Sequence, residues 1–174
     1  LSQNMKQGQT LGFDGRVVSA SEGKKLEKKL AGKEVSFLFE KDLAETIWTD
    51  RPAFPAGRVW MLDEALAGKS VEEKLGETLE KVEKEGADSL FLTKLDDLMW
   101  LFNIRGCDVE CNPVAMSYAY LSREETVLFI QKAVLEDTAA ASLAAKGVKV
   151  EEYDTVTDYL KTLPEGRKVM ADQR

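Results

Sequence analysis

Apolar residues along this chain recur at helical spacing in some segments and form short continuous runs in others. Helical spacing predicts amphipathic helices, whereas a short apolar run bounded by turn residues predicts a buried strand. The predicted helices lie between Ser19 and Gly32, at Asp42–Trp48, between Ser70 and Gly86, over Leu95–Phe102, at Val134–Lys146 and at Val156–Leu163. The predicted strands are Leu11–Asp14, Val35–Phe39, Ser89–Thr93, Val114–Leu121, Thr126–Ile130, Val148–Val150 and Lys168–Ala171.

Two of the predicted helices begin with a Ser–x–x–Glu sequence, at Ser19 and at Ser70. This sequence caps a helix because each of its two side chains accepts a hydrogen bond from the backbone N–H of the other residue. Strands alternate with helices along the chain, and Ser122–Glu125 joins two strands into a predicted antiparallel hairpin. The expected fold class is therefore α/β, with a mixed sheet covered by helices on both faces.

The strongest interruption of this pattern is at residues 49–58, which contain Pro52, Pro55 and Gly57. Each proline lacks a backbone N–H and favours extended geometry in the residue before it. A new and complete set of elements begins after this segment, so we place a domain boundary or a rigid connector here.

The charge balance disfavours a nucleic-acid partner. The 174 residues include 31 Asp and Glu against 24 Lys and Arg, a net charge of −7, whereas phosphate contacts need a concentrated basic surface. The lysine cluster at residues 24–29 is typical of a solvated helix face. No apolar run approaches the ~18 residues of a membrane-spanning helix and no signal peptide opens the chain, so no membrane association is expected. Because the first residue is Leu1, we expect an excised piece of a longer protein.

The chain contains no histidine. This excludes Ser-His-Asp and Cys-His nucleophile systems within the chain, together with histidine-containing zinc sites. Cys107 and Cys111 are too few for a disulfide framework and favour a reducing compartment. We expect two free thiols packed as small apolar side chains, since a zinc site would need carboxylates or a partner chain as further ligands.

The densest group of candidate functional residues is in Leu95–Pro113, where a short apolar helix leads into a polar segment. Arg105 precedes Gly106, so its guanidinium can lie where the backbone is open to close approach, which suits the binding of a carboxylate. Two interpretations remain open. Asp108 orients the guanidinium of Arg105 for a ligand, or the two side chains pair and hold the loop on the domain.

Three segments resemble the non-catalytic N-terminal region of the Xaa-Pro aminopeptidases, which are three-domain members of the creatinase/prolidase metallopeptidase superfamily. The first is Ile47-Trp48-Thr49-Asp50-Arg51-Pro52, and the second is Gly68-Lys69-Ser70 followed by Lys74-Leu75. The third keeps the spacing of the family pattern at Leu95-Asp96, Trp100-Leu101, Asn103, Arg105-Gly106, Asp108, Asn112-Pro113 and Ser117-Tyr118.

The resemblance implies a three-layer α/β/α domain with a mixed sheet and a layout like that of ribonuclease H. It implies that residues 1–57 are the C-terminal part of the family's first domain plus a connector, and that residues 58–174 are its second domain. It also implies that the catalytic pita-bread domain is absent from the chain. Two divalent metal ions, usually manganese, would be bound in that domain, so the chain itself would need no cofactor.

The protein implied by this resemblance is a cytoplasmic hydrolase that removes the N-terminal residue of peptides whose second residue is proline. The chain, inactive alone, would shape access to the active site and contact the catalytic domain and the peptide substrate, and a homodimer is left open. The residues expected at the substrate mouth or the interdomain seam are Trp100, Asn103, Arg105, Asp108 and Asn112. The alternatives are a stand-alone binding module of this fold and a self-sufficient enzyme that uses carboxylates or Cys107.

Overall fold

The computed structural model describes residues 3–172. They divide into two compact units, residues 3–53 and Phe54–Asp172.

The first unit is a small β–α–β arrangement. Strands β1 (Thr10–Gly12) and β2 (Ser36–Leu38) pair in parallel, and helix α1 (Ala20–Leu30) lies between them in the chain. Of the capping box predicted for α1, the structure shows one of the two hydrogen bonds, in which the Ser19 hydroxyl accepts from the backbone N–H of Glu22. The strand predicted at residues 35–39 forms, but its side chains are half-buried or exposed instead of buried.

The helix predicted at Asp42–Trp48 is wrong, because these residues form turns. Oδ1 of Asp42 accepts hydrogen bonds from the backbone N–H groups of Ala44 and Glu45, and the N–H of Trp48 donates to the carbonyl of Ala44. The side chain of Ile47 is 80% exposed. A single turn is therefore closed, but no buried apolar face supports its extension into a helix.

The second unit contains most of the secondary structure. Its elements are β3 (Trp60–Met61), α2 (Glu64–Ala67), α3 (Val71–Lys84), β4 (Ser89–Leu92), α4 (Leu95–Leu101), β5 (Ile104–Arg105), β6 (Ser117–Ser122), β7 (Thr126–Ile130), α5 (Asp137–Ala145), β8 (Val148–Glu151), α6 (Val156–Lys161) and β9 (Val169–Ala171). Helix α3 begins with the predicted capping box of Ser70 and Glu73, and both of its hydrogen bonds are present.

A mixed sheet of five strands forms the centre of the part of this unit that the structure describes, in the order β8-β7-β6-β4-β9. Strand β6 is antiparallel to β4 and β7, whereas β7 pairs with β8, and β4 with β9, in parallel. The predicted hairpin of β6 and β7 is confirmed, with Leu121 opposite Thr126. A separate antiparallel pair of β3 and β5 places Trp60 opposite Arg105.

Alternating side chains give the five-stranded sheet two apolar faces. On one face, Ala119 and Leu121 of β6 pack in a large core with residues of α3, α4 and α5. On the other face, Tyr120 of β6 packs with Val156 and Tyr159 of α6. The sheet therefore lies between helices, and the predicted α/β class with a mixed sheet is confirmed.

Candidate functional site

Three of the five candidate residues, Trp100, Asn103 and Arg105, lie around the C-terminal end of α4. The helix ends at Leu101, and Asn103 two residues later has a positive φ of 51°. Asparagine tolerates this left-handed conformation better than most residues, and a residue of this kind commonly terminates a helix. The chain then turns directly into β5, so the end of α4 sets the position of Arg105.

The side chain of Asn103 is buried, with 3% of its surface exposed, and holds two other segments. Its Nδ2 donates a hydrogen bond of 2.9 Å to the carbonyl of Lys69. Its Oδ1 accepts a hydrogen bond from Nζ of Lys74 on α3. Asn103 is therefore positioned to join the start of α3 to the end of α4, and it is not exposed to a ligand.

Lys74 is fully buried, with 1% of its surface exposed. Besides Asn103, its Nζ donates to the carbonyl of Trp100 at 2.8 Å, and it lies 4.9 Å from the centroid of the Trp100 ring. Burial lowers the pKa of this ammonium, and the charges of Arg105 and Lys69 lower it further, opposed by Glu64. The resemblance included Lys74, but amphipathic spacing gave no signal that its charge would be buried.

Arg105 is half-buried, and its Nη1 satisfies two backbone carbonyls. It donates to the carbonyl of Met99 at 3.1 Å and to that of Ile104 at 2.7 Å. A cation near the last carbonyls of a helix is favourable because these groups lack partners within the helix. Within residues 3–172, Nε and Nη2 of this guanidinium have no hydrogen-bond partner, so they can bind a further acceptor.

Asp108 does not pair with Arg105, and the interpretation in which these two side chains hold the loop together is wrong. Oδ1 of Asp108 accepts a 2.7 Å hydrogen bond from the backbone N–H of Gly57, and Oδ2 accepts one of 2.7 Å from that of Met116. Both oxygens are therefore used to hold the segment around Gly57 and the start of β6, and Asp108 does not orient the guanidinium.

The loop Gly106–Pro113 is closed by its own backbone. The N–H of Gly106 donates to the carbonyl of Pro113, and the N–H of Asn112 donates to that of Val109. A Cβ atom at Gly106 would lie 2.7 Å from the Cβ of Ala115, so the returning chain requires a glycine here. The close approach expected at Gly106 is therefore made by the protein's own backbone.

One side of this loop lines an open cavity of about 400 Å³. Among its lining residues are Trp60, Cys107, Cys111 and Asn112. The two thiols are free and exposed, so the expectation that they pack as small apolar side chains is wrong. Cys111 and Asn112 lie at the turn of the loop, where exposed side chains face solvent.

The five candidates therefore form two groups. Trp100, Asn103 and Arg105 lie around the end of α4, and Trp100 is 49% exposed. Asp108 and Asn112 lie in the loop that follows β5, the former half-buried and the latter exposed.

Within residues 3–172, no group of three or more Cys, Asp or Glu side chains is placed to hold a metal ion. None of the helices described there has the length and apolar composition needed to cross a membrane.

Comparison with known proteins gives one family. Residues 50–174 match the creatinase/prolidase N-terminal domain. A probable Xaa-Pro aminopeptidase P of Coprinopsis cinerea is 36% identical over 165 residues, which cover 94% of this chain and 26% of that protein. Xaa-Pro aminopeptidase 1 of Dictyostelium discoideum is 29% identical, over 100% of this chain and 29% of its own length. The chain thus spans between a quarter and a third of these relatives.

A solved structure shares the fold over the full chain. The crystal structure of X-prolyl aminopeptidase from Caenorhabditis elegans, described as a cytosolic enzyme with a di-nuclear active site, matches with a TM-score of 0.85 and 26% identity. The match covers 100% of this chain and 33% of that one. The proteins compared above are named as Xaa-Pro aminopeptidases, and the chain itself belongs to the creatinase/prolidase N-terminal domain family.

Proposed function

We propose that this chain is the non-catalytic N-terminal portion of a metal-dependent Xaa-Pro aminopeptidase, a hydrolase that releases the residue preceding proline from the N-terminus of a peptide. The observation that carries this proposal is similarity along nearly the whole chain to proteins named for that activity. The cytosolic description of the Caenorhabditis elegans enzyme supports a cytoplasmic location.

We assign the metal chemistry to a catalytic domain outside this sequence. The di-nuclear active site of the Caenorhabditis elegans enzyme supports two divalent metal ions, which we take to be manganese. Such a site needs several oxygen or nitrogen ligands close together, and residues 3–172 offer no such group. Catalysis is thereby assigned to the domain that supplies the ligands.

We further propose that residues 1–57 are the C-terminal part of a first domain with its connector, and that residues 58–174 are the second domain. The division between compact units falls between Ala53 and Phe54. The segment around Gly57 is hydrogen-bonded to Asp108, which supports its role as a fixed connector at the start of the second unit.

The second domain, in this proposal, limits which peptides reach the active site. The end of α4 and the loop Gly106–Pro113 face the catalytic mouth or the seam with the catalytic domain, and Arg105 binds a carboxylate or carbonyl oxygen of the peptide. The free Nε and Nη2 of Arg105 support this role because a guanidinium can bind a second acceptor along that edge. The backbone hydrogen bonds of the loop support it too, since a rigid loop loses little entropy on binding.

The test uses the longer polypeptide in which this chain continues into a catalytic domain. Arg105→Ala should raise KM for peptides of several residues by about tenfold and leave kcat nearly unchanged, as expected for one charge-assisted hydrogen bond. Arg123→Ala is the matched control, because this exposed arginine pairs with Glu83 at the turn between β6 and β7. If KM is unchanged in Arg105→Ala and the melting temperature is lower, Arg105 does not bind the peptide. Its role would then be limited to stabilising the end of α4.

A further inference from the structure

Lys74 on α3 and Trp100 on α4 are buried to degrees opposite to those that their polarity predicts. Lys74 on α3 is 1% exposed, whereas Trp100 on α4 is 49% exposed. Lysine is almost never fully buried without a charged partner, and tryptophan is among the side chains that gain most from burial. Hydropathy alone would expose Lys74 and bury Trp100, and the structure does the opposite.

The burial of Lys74 is costly and is offset by uncharged partners. No salt bridge within residues 3–172 involves this ammonium, and the cations Arg105 and Lys69 repel it. Its compensation comes from two oxygen acceptors, the carbonyl of Trp100 and Oδ1 of Asn103, together with the face of the indole ring. A methionine of similar length would fill the same space without the cost of desolvating a charge.

Nζ of Lys74 restrains Trp100 at two points, its backbone carbonyl and its half-exposed ring. The backbone of Trp100 is held through its carbonyl, and its ring is held by a cation–π contact with the same Nζ. The ring also lines a mostly apolar cavity of about 190 Å³, whose other lining residues are Leu90, Leu92, Leu101, Thr78 and Asp97. A tryptophan fixed in advance beside an apolar cavity loses little conformational entropy when it contacts a ligand.

We propose that Lys74 is a positioning residue, whose buried ammonium holds the indole of Trp100 at the surface as a preformed contact. What Trp100 contacts, a peptide substrate at the catalytic mouth, rests on the proposed function. How Trp100 is held does not. The two claims are therefore separated by measurements on the 174-residue chain and on the longer enzyme.

The first measurement follows Trp100 in the 174-residue chain carrying Trp48→Phe and Trp60→Phe, so that one fluorophore remains. Lys74→Met should raise the acrylamide quenching constant of Trp100 by about twofold, because the ring loses its cation–π contact and its carbonyl loses a hydrogen bond. Lys69→Met is the matched control, because it removes a neighbouring charge that is paired with Glu77 and does not contact the ring. Equal quenching in Lys74→Met and the parent protein overturns the proposal.

A pH titration of the same single-tryptophan protein keeps the proposal testable if Lys74→Met does not fold. Burial first, and then repulsion from Arg105 and Lys69, lower the pKa of Lys74 against the opposing charge of Glu64. The emission of Trp100 should therefore change in a step below pH 10.5, the ordinary lysine value. Lys69→Met should keep the step, and emission that stays constant while Lys74 is titrated through and beyond pH 10.5 overturns the proposal.

The longer enzyme separates this inference from the proposed function. If both hold, Lys74→Met raises KM for peptides about as much as Trp100→Ala does and leaves kcat nearly unchanged. If the quenching and pH results hold but KM is unchanged in both variants, Trp100 is positioned as inferred, and its assignment as a peptide contact is refuted.

Discussion

The two compact units differ in how much apolar surface they bury. Among residues 3–53, Leu30 is the one buried residue, and Val17, Phe39 and Ile47 are 77%, 55% and 80% exposed. In the second unit, by contrast, both faces of a five-stranded sheet are packed against helices. Burial of apolar surface is the main source of folding stability. The second unit therefore buries enough apolar surface to stabilise its own fold, and the first unit does not.

The first prediction has the largest expected effect and tests that difference in packing. Leu128 on β7 is fully buried, so Leu128→Ala should lower the free energy of unfolding of the second unit by about 3 kcal/mol in urea titrations. Ile47→Ala should change the free energy of unfolding of the first unit by less than about 0.5 kcal/mol, because Ile47 is 80% exposed. A loss of similar size in both variants would contradict the comparison, because it would require packing around Ile47.

The second prediction compares two carboxylates that bind backbone N–H groups. Asp108 binds Gly57, 51 positions away, whereas Asp42 binds Ala44 and Glu45 in its own turn. Asp108→Ala leaves two N–H groups without their acceptor, so the second unit should lose about 2 kcal/mol in urea titrations.

Two further variants complete this comparison. Asp42→Ala should loosen one turn of the first unit and leave the urea midpoint of the second unit unchanged. Asp97 is an exposed carboxylate on α4, so Asp97→Ala is the control for removal of a charge from the second unit. A midpoint for Asp108→Ala equal to that of Asp97→Ala would show that the contact with Gly57 does not stabilise the unit.

The smallest effect is a pH dependence in the second unit. Hydrogen bonds from Lys149 and then Tyr159 lower the pKa of Glu125 below its ordinary value of 4.5. A carboxylate whose pKa is lower in the folded state stabilises the fold above its unfolded pKa, and this contribution is lost as the pH falls through the folded pKa.

Glu125→Gln should therefore reduce the drop in melting temperature between about pH 6 and about pH 3, the range in which a lowered carboxylate titrates. Glu110→Gln, in the exposed loop, is the control. An unchanged drop in Glu125→Gln would mean that the contacts of Glu125 are not maintained in solution.

Local patterns predicted the second unit well. The capping box of Ser70 and Glu73, and the hairpin in which the turn Ser122–Glu125 joins β6 to β7, each depend on residues close together in the chain, so the sequence predicts them. The same reasoning failed at Asp42–Trp48, where the cap is present but no buried face supports a helix.

The sequence indicates which segment holds the candidate residues, but not which partners their side chains contact. The pairing of Asp108 with Gly57 and Met116, and the burial of Lys74 beneath Trp100, depend on residues brought together by the fold. Hydropathy predicts the opposite burial for Lys74 and Trp100. A position that violates such a local rule is often functional, and we infer for this reason that Lys74 positions Trp100.

The most direct test of the proposed function is release of the first residue from an Xaa-Pro peptide in the presence of manganese. Two proteins are compared, the 174-residue chain and the longer polypeptide in which it continues into a metal-binding domain. The account predicts release by the longer polypeptide and none by the chain alone. Release by the chain alone, or by neither protein, would contradict it.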